Sequence, residues 1–130
     1  MPIQVVVAGA LIADRTVLVA QRDRPVELAG RWELPGGKVG VGESDAEALA
    51  RELAEELGIN VAVGPRLGGD VALSDTTMLR AYFVTQTGGA LQAHDHRQVR
   101  WVGAVDLAEL DWVPADRAWL PELTRALGLP

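Results

Sequence analysis

The chain has 130 residues, of which 48% are hydrophobic, so a single domain with its own core is expected. It contains no cysteine, which excludes disulfides, thiolate metal sites and a cysteine nucleophile. The formal net charge of -6 argues against a protein that coats DNA or RNA, and favours a small phosphorylated ligand that arrives with a cation.

The amino-terminal part of the chain is rich in strand-forming residues. Runs of β-branched residues at 5–13 and 16–21 flank Asp14-Arg15 and predict a β-hairpin. No basic segment precedes the first run, which is too short to span a bilayer. We therefore expect a cytoplasmic protein that makes no contact with a membrane.

A helix is predicted from Asp45 to Leu57. Ser44 and Glu47 have the spacing of a capping box, and Gly58 supplies the carboxyl-terminal stop. The apolar residues recur at helical spacing and form one stripe: Ala46, Leu49, Ala50, Leu53 and Leu57.

The carboxyl-terminal part predicts further strands and a last helix. These elements are a hairpin of 67–73 and 77–86 around Ser74-Asp75, a strand at 99–102, a helical turn at 105–110, and a helix from Pro114 that carries Leu120, Leu123 and Leu127. This order of elements predicts an α/β/α sandwich with a mixed β-sheet, formed by one domain over residues 1–130.

Three glutamates of the predicted helix, Glu52, Glu55 and Glu56, lie opposite its apolar stripe. Their spacing places them one turn apart, so their carboxylates are expected to converge. A divalent cation such as Mg²⁺ binds oxygen ligands of this kind and shares its coordination shell with substrate phosphates. The alternative is an acidic helix face that is merely solvated.

A glycine-rich loop directly precedes this helix. Four glycines fall within residues 36–42, where the backbone can approach a ligand or metal closely because no side chain intervenes. The backbone of Gly36 is therefore a candidate metal contact. Glycines alone would indicate only a turn.

Loop and helix together resemble the Nudix box. The segment GKVGVGESDAEALARELAEELGI, Gly37 to Ile59, matches the box at each of its defined positions. These positions are Gly37, Glu43, Arg51, Glu52, Leu53, Glu55, Glu56, Gly58 and Ile59. The resemblance extends over essentially the whole chain and implies the sandwich fold of this family.

The resemblance also implies roles for the residues of the box. Glu52, Glu55 and Glu56 would bind Mg²⁺, for which Mn²⁺ can substitute, and Glu52 would activate the attacking water. Arg51 and Glu43 would engage each other and orient the site. Without the family, a helix pair between Arg51 and Glu55 is the default interpretation.

Residues outside the box also match family positions. Arg22 occupies the place of a phosphate-contacting arginine, although a surface arginine at a strand end is equally consistent, and Lys38 is assigned to substrate binding. His94-Asp95-His96 stands where relatives carry an acidic residue, so Asp95 would contact the metal directly, through water or not at all. No third histidine is available for zinc.

Within the family the chain resembles the MutT group of nucleoside triphosphate pyrophosphohydrolases. That group directs water to the β-phosphorus and releases a nucleoside monophosphate and pyrophosphate. The substrate would be a small nucleotide and not a nucleic acid polymer, and the enzyme a monomer or homodimer. Its task would be sanitation of the nucleotide pool or pyrimidine nucleotide homeostasis.

Asp116 stands where guanine-specific relatives carry an asparagine. An ionised aspartate can only accept hydrogen bonds, which favours an exocyclic amine such as N4 of cytosine. The hypothesis is hydrolysis of CTP, dCTP or 5-methyl-dCTP; the alternatives are hydrolysis of 8-oxo-dGTP and a binding module without activity. Asp116 would otherwise cap the last helix. Three tryptophans would line the base pocket or pack in the core: Trp32, Trp101 and Trp112.

Overall fold

The computed structural model describes residues 2–128, so Met1, Leu129 and Pro130 of the predicted domain lie outside the described residues. The strands are β1 (Gln4–Ala13), β2 (Thr16–Gln21), β3 (Trp32–Glu33), β4 (Gly36–Lys38), β5 (Ile59–Ala72), β6 (Thr77–Gly89) and β7 (Gln98–Gly103). The helices are α1 (Asp45–Leu57), α2 (Ala104–Leu107), a 3₁₀ helix (Pro114–Trp119) and α3 (Leu120–Ala126).

The seven strands form one mixed sheet, as predicted. Its main order is β3-β2-β1-β6-β5, while β4 pairs with β1 and β7 pairs with β2. Strand β1 runs parallel to β6, and the other neighbours are antiparallel. The first hairpin turns at Asp14 and Arg15, both with positive φ, which is typical of a two-residue turn between twisted strands.

Two hydrophobic cores lie on opposite faces of the sheet. Because side chains alternate along a strand, Val7 and Leu18 pack towards α1, whereas Ala8 and Val19 pack towards α3. Helix α1 contributes Ala48, Leu49, Leu53 and Leu57 to the first core. The second core receives Leu107, Trp112, Trp119, Leu123 and Leu127. Helices thus cover both faces, which confirms the predicted α/β/α sandwich.

Helix α1 begins and ends as predicted. The Ser44 side chain accepts the Glu47 N–H, the Glu47 side chain accepts the Ser44 N–H, and Gly58 closes the helix with φ of 71°. Outside the helix, Arg80 and Tyr82 of β6 donate to Asp45 Oδ2 at 2.9 and 2.6 Å. The first turn of α1 is therefore bonded both to its own cap and to the sheet.

Three other predicted elements differ from the structure. Strand β5 begins at Ile59 rather than at residue 67, with irregular pairing around Gly64 and Pro65. The predicted last helix starts as the 3₁₀ helix and is α-helical only from Leu120, and the predicted turn at 105–110 is the short helix α2. No helix within residues 2–128 has both the length and the apolar character needed to cross a membrane.

Candidate active site

The glycine loop lies directly between strand β1 and helix α1. A Cβ on Gly36 would overlap the carbonyl oxygen of Val7, and a Cβ on Gly37 would overlap the carboxylate of Glu52. Only glycine permits this approach, because any side chain would separate the loop from the strand or from the helix. The backbone of the loop is consequently held against the first glutamate of the predicted metal site.

Arg51 is the central hydrogen-bond donor of the box. Its guanidinium donates to Glu43 at 2.7 and 2.9 Å, to Glu52 at 3.0 Å and to the carbonyl oxygen of Lys38 at 3.1 Å. Hydrogen bonds from Arg51 and from the Gly40 amide lower the pKa of Glu43 to about 2. The same contacts, first with Glu43 and then with Glu52, raise the pKa of Arg51. The expected Arg51–Glu43 contact is present, and it ties the loop to the helix.

The three helix glutamates do not converge as predicted. Glu52 and Glu56 line one cavity, whereas the Glu55 side chain is 60% exposed and lies 3.4 Å from Arg51. Helix geometry explains the difference, because four residues rotate the side chain by about 40° and three rotate it by about 60° in the opposite sense. Glu55 thus diverges from Glu56, and its pair with Arg51 is the default helix interaction.

The Oε2 atom of Glu56 is buried and has no hydrogen-bond partner among the described residues. Burial, followed by the charges of Glu52 and Glu33, raises its pKa to about 8. A cation bound near these oxygens would instead lower the pKa of Glu56.

The cavity has a volume of about 440 Å³. Its lining residues come from β1, the loop after β2, β3, the glycine loop, α1, β6, the loop before β7 and the 3₁₀ helix. Its polar and charged lining residues are Arg22, Asp23, Arg24, Glu33, Glu52, Glu56, Asp95, His96 and Asp116, with the backbone of Gly36 and Gly37. No sequence pattern indicated a role for Asp23, Arg24, Glu33 or His96.

Glu33 is the most connected of the residues that sequence reasoning missed. Its Oε1 accepts from Arg22 at 2.9 Å, and its Oε2 lies 2.9 Å from Nε2 of His96, which is also 3.9 Å from Glu56. In the sequence, its place between Trp32 and the glycine loop is a sign that Glu33 lies near the site. Arg22, predicted to contact phosphate, is therefore already paired with a carboxylate.

Asp95 lines the cavity, but its side chain contacts an arginine. Oδ1 of Asp95 accepts from Arg24 at 2.8 Å, and both side chains are more than half exposed. The backbone of this loop is fixed to the end of α1, since the N–H groups of Gln92 and His94 donate to the carbonyl oxygens of Leu57 and Glu56 at 2.9 Å. A metal contact by Asp95 stays a prediction.

Asp116 does not cap the last helix. Its side chain is buried and Oδ2 accepts the backbone N–H of Leu34 at 2.8 Å, while the amino terminus of α3 has no side-chain cap. Burial raises the pKa of Asp116 to about 7, although the Leu34 hydrogen bond opposes the shift. Near neutral pH the carboxyl group is thus present in both forms.

The tryptophans and Lys38 lie outside the cavity. Trp32 packs in the core next to α3, with Arg100 5.4 Å above its ring, and Trp112 is fully buried and donates to the carbonyl oxygen of Leu107 at 2.6 Å. Trp101 is 40% exposed, and Lys38 is exposed. These positions argue against the predicted substrate contacts of both residues, because the Trp32 ring packs in the core and Lys38 is exposed outside the cavity.

The residues of the cavity fit a divalent cation held in part by the substrate. Within residues 2–128, no group of three or more Asp, Glu, His or Cys side chains is arranged so that it could hold a metal ion by itself. Glu52 and Glu56 nevertheless offer hard oxygen donors, and the buried Oε2 of Glu56 lacks a partner there. Mg²⁺ commonly takes one or two carboxylates and completes its shell with phosphates and water.

Comparison with known proteins agrees with this geometry. The family model described as the NUDIX domain matches residues 3–123. A Mycobacterium tuberculosis protein named "Putative 8-oxo-dGTP diphosphatase 2" is 61% identical over 128 residues, which cover 96% of this chain and 91% of that protein. The CTP pyrophosphohydrolase of Escherichia coli is 38% identical and is matched over 85% of this chain and 84% of its own length.

A solved structure shows the same fold. The solution structure of the E. coli ORF135 protein superposes with a TM-score of 0.81 at 35% sequence identity. The match covers 98% of this chain and 91% of that one, so it includes both the sheet and all elements that line the cavity.

Proposed function

Because the chain belongs to the NUDIX family as a MutT-like hydrolase, we propose that it hydrolyses nucleoside triphosphates to a monophosphate and pyrophosphate, with a preference for cytosine nucleotides. One observation carries the proposal: a single cavity is lined both by the glutamate pair Glu52 and Glu56 and by the buried carboxyl group of Asp116. The glutamate pair suits a phosphate chain that is bound with a cation. The Asp116 carboxyl group suits the polar edge of a base.

The hydrolytic part of the proposal follows from charge. A bound Mg²⁺ or Mn²⁺ ion would neutralise the phosphate oxygens and lower the pKa of water. Glu52 and Glu56 would hold it together with the backbone of Gly36. Glu52, whose Oε1 accepts from Arg51 at 3.0 Å and whose carboxylate lies against Gly37, would take the proton from the attacking water.

Recognition of the base is assigned to Asp116. The Leu34 amide donates to Oδ2, and among the described residues no other hydrogen bond reaches the carboxyl group. When ionised, Asp116 accepts from an exocyclic amine and opposes a carbonyl oxygen. Cytosine presents such an amine where uracil and thymine present an oxygen, and one relative is named a CTP pyrophosphohydrolase.

The second candidate substrate is 8-oxo-dGTP. Its support is the pKa of about 7 at Asp116, because the neutral carboxyl group can donate to the carbonyl oxygen of a purine and the ionised form can accept from its amine. The mycobacterial relative, at 61% identity, is named for this nucleotide.

A turnover screen tests the proposal. Purified protein is assayed with Mg²⁺ against CTP, dCTP, 5-methyl-dCTP, dUTP, dTTP, dGTP and 8-oxo-dGTP, and the products are identified by anion-exchange chromatography. Glu52→Gln serves as the matched control for contaminating phosphatases. We expect cytidine monophosphates and pyrophosphate as the main products. A highest kcat/KM for 8-oxo-dGTP would establish the second candidate, and release of inorganic phosphate alone would refute the proposed reaction.

A further inference from the structure

Two arginines line the cavity, and they differ in how firmly they are already bound. Arg22 donates from Nη1 to Glu33 at 2.9 Å and from Nε to the carbonyl oxygen of Arg24 at 3.0 Å. The side chains of this ion pair are 31% and 15% exposed, so water screens it only in part. An anionic ligand at Arg22 would have to compete with a carboxylate that is well shielded.

Arg24 is bound more loosely. Its Nη2 donates to Oδ1 of Asp95 at 2.8 Å, and the two side chains are 72% and 51% exposed. Exposed ion pairs of this kind contribute little to stability, so their partners exchange easily. Among the described residues, Nε and Nη1 of Arg24 form no hydrogen bond, which leaves most of the planar donor group available.

The backbone on either side of Arg24 is nevertheless held by hydrogen bonds. The Arg24 carbonyl oxygen accepts from Arg22, the Leu28 N–H donates to the carbonyl oxygen of Pro25 at 2.9 Å, and the Gly30 N–H donates to that of Arg22 at 2.9 Å. A guanidinium on a fixed backbone needs little reorganisation to meet a ligand, because only its side chain has to turn.

We infer that Arg24, rather than Arg22, is the main arginine contact of the substrate's phosphate chain, and that Asp95 holds its guanidinium in place until phosphate oxygens replace the carboxylate. Guanidinium groups bind phosphate and carboxylate oxygens through the same planar donors, so the exchange conserves hydrogen bonds. Arg22 then acts through Glu33 as a positioning residue. The inference rests on the proposed function, since it places a nucleoside triphosphate in the cavity.

Arg97 provides a matched control. Its Nε pairs with Asp23 at 3.3 Å, with side chains 47% and 58% exposed, and it connects the same two loops as Arg24. It does not line the cavity. Arg24→Ala and Arg97→Ala each remove one positive charge and one exposed ion pair, but only the first removes a cavity residue.

The test compares these variants and Arg22→Ala in steady-state hydrolysis of dCTP at saturating Mg²⁺. We expect Arg24→Ala to raise KM by about tenfold, which corresponds to the loss of a hydrogen bond to a charged group. Arg24→Lys should recover part of this loss because it restores charge without the planar donors, and Arg97→Ala should stay within about twofold of wild type. Equal KM increases in Arg24→Ala and Arg97→Ala, or a normal KM in Arg24→Ala, would overturn the inference.

A binding experiment separates this inference from the proposed function. Binding of inorganic triphosphate with Mg²⁺ is measured by calorimetry on wild type, Arg24→Ala and Arg97→Ala. If no nucleotide is hydrolysed by wild type, the proposed function fails, and a loss of triphosphate binding confined to Arg24→Ala still supports the phosphate contact. Unchanged binding in Arg24→Ala contradicts it whatever the turnover.

The role given to Asp95 has its own readout. Asp95→Asn keeps an oxygen acceptor for Arg24 but removes the negative charge with which a carboxylate would attract a metal ion. We expect the Mg²⁺ concentration for half-maximal activity to stay within about twofold of wild type, because a hydrogen-bonding role survives this substitution. An increase of tenfold or more would show that Asp95 binds the metal and would refute its positioning role.

Discussion

The buried carboxyl group of Asp116 accepts the backbone N–H of Leu34 at 2.8 Å, across 82 residues of sequence. Leu34 lies two positions before Gly36, so this contact joins the 3₁₀ helix to the start of the glycine loop. The side chain proposed to read the base is therefore anchored to the segment that approaches the metal site.

Base selectivity should depend on pH through Asp116. Its pKa of about 7 means that the ionised acceptor dominates above that pH and the neutral form below it. An opposed acceptor costs roughly 1 to 3 kcal/mol, so at pH 8 we expect dCTP to be preferred over dUTP by about ten- to a hundredfold in kcat/KM. The ratio should shrink at pH 6. Asp116→Asn is the control: its ratio should be small and independent of pH, and a pH-independent ratio in wild type would contradict the assignment.

The helix glutamates should contribute unequally to catalysis. Glu52→Gln is expected to lower kcat by a factor of about 10² or more, as when a general base or metal ligand is lost. Glu55→Gln is the matched comparison, about one helical turn along. Because Glu55 is exposed outside the cavity, this substitution should lower kcat much less than Glu52→Gln does. Steady-state kinetics with circular dichroism as a folding control measure both. Equal losses would show that Glu55 enters the metal site when substrate binds.

The position of water attack can be read from an isotope label. Hydrolysis in ¹⁸O-labelled water should place the label in pyrophosphate and leave the nucleoside monophosphate unlabelled, because the MutT-like group directs water to the β-phosphorus. Mass spectrometry of both products measures this. Labelled monophosphate would mean attack at the α-phosphorus and would remove the chain from the proposed reaction.

The stability of the metal-free protein should fall as pH rises because of Glu56. Its pKa is raised from 4.5 to about 8, so the stability it contributes is fully present below pH 4.5 and is lost as pH rises through 8. Thermal unfolding in EDTA should show this decline, and Glu56→Gln should flatten it. Mg²⁺ binds the ionised form, so it should raise Tm more at pH 8 than at pH 6. A pH-independent Mg²⁺ effect would contradict the assignment of Glu56 as a ligand.

Local signals in the sequence were sufficient for helix α1 and the first hairpin. The capping box of Ser44 and Glu47 and the stop at Gly58 act within one or two turns, so the predicted helix bounds match the structure. Strand β5 was predicted too short because Gly64 and Pro65 normally end strands, whereas here they fall at an irregularity of an edge strand. Strand β5 continues past Gly64 and Pro65 because it pairs with β6 on both sides of them, and the residues near Gly64 do not indicate this pairing.

The candidate site was less predictable than the fold. The box identified Glu52 and Glu56, but helix rotation alone would have separated Glu55 from Glu56. Glu33 and Arg24 were missed because their roles come from partners far along the chain, at His96 and Asp95. Only the closed fold brings such pairs together, so spacing within a short motif does not show which residues will pair.

The hydrogen bonds at the two ends of α1 limit how far its chemistry could be moved to another protein. Asp45 at its start is held by Arg80 of β6, and Glu56 and Leu57 at its end are held by the loop after that strand. A segment outside the Nudix box thus fixes the orientation of the box helix. Grafting Gly37 to Ile59 alone into a new scaffold would transfer the glutamates without the supports that aim them, so a designer would have to transplant residues 77–94 as well.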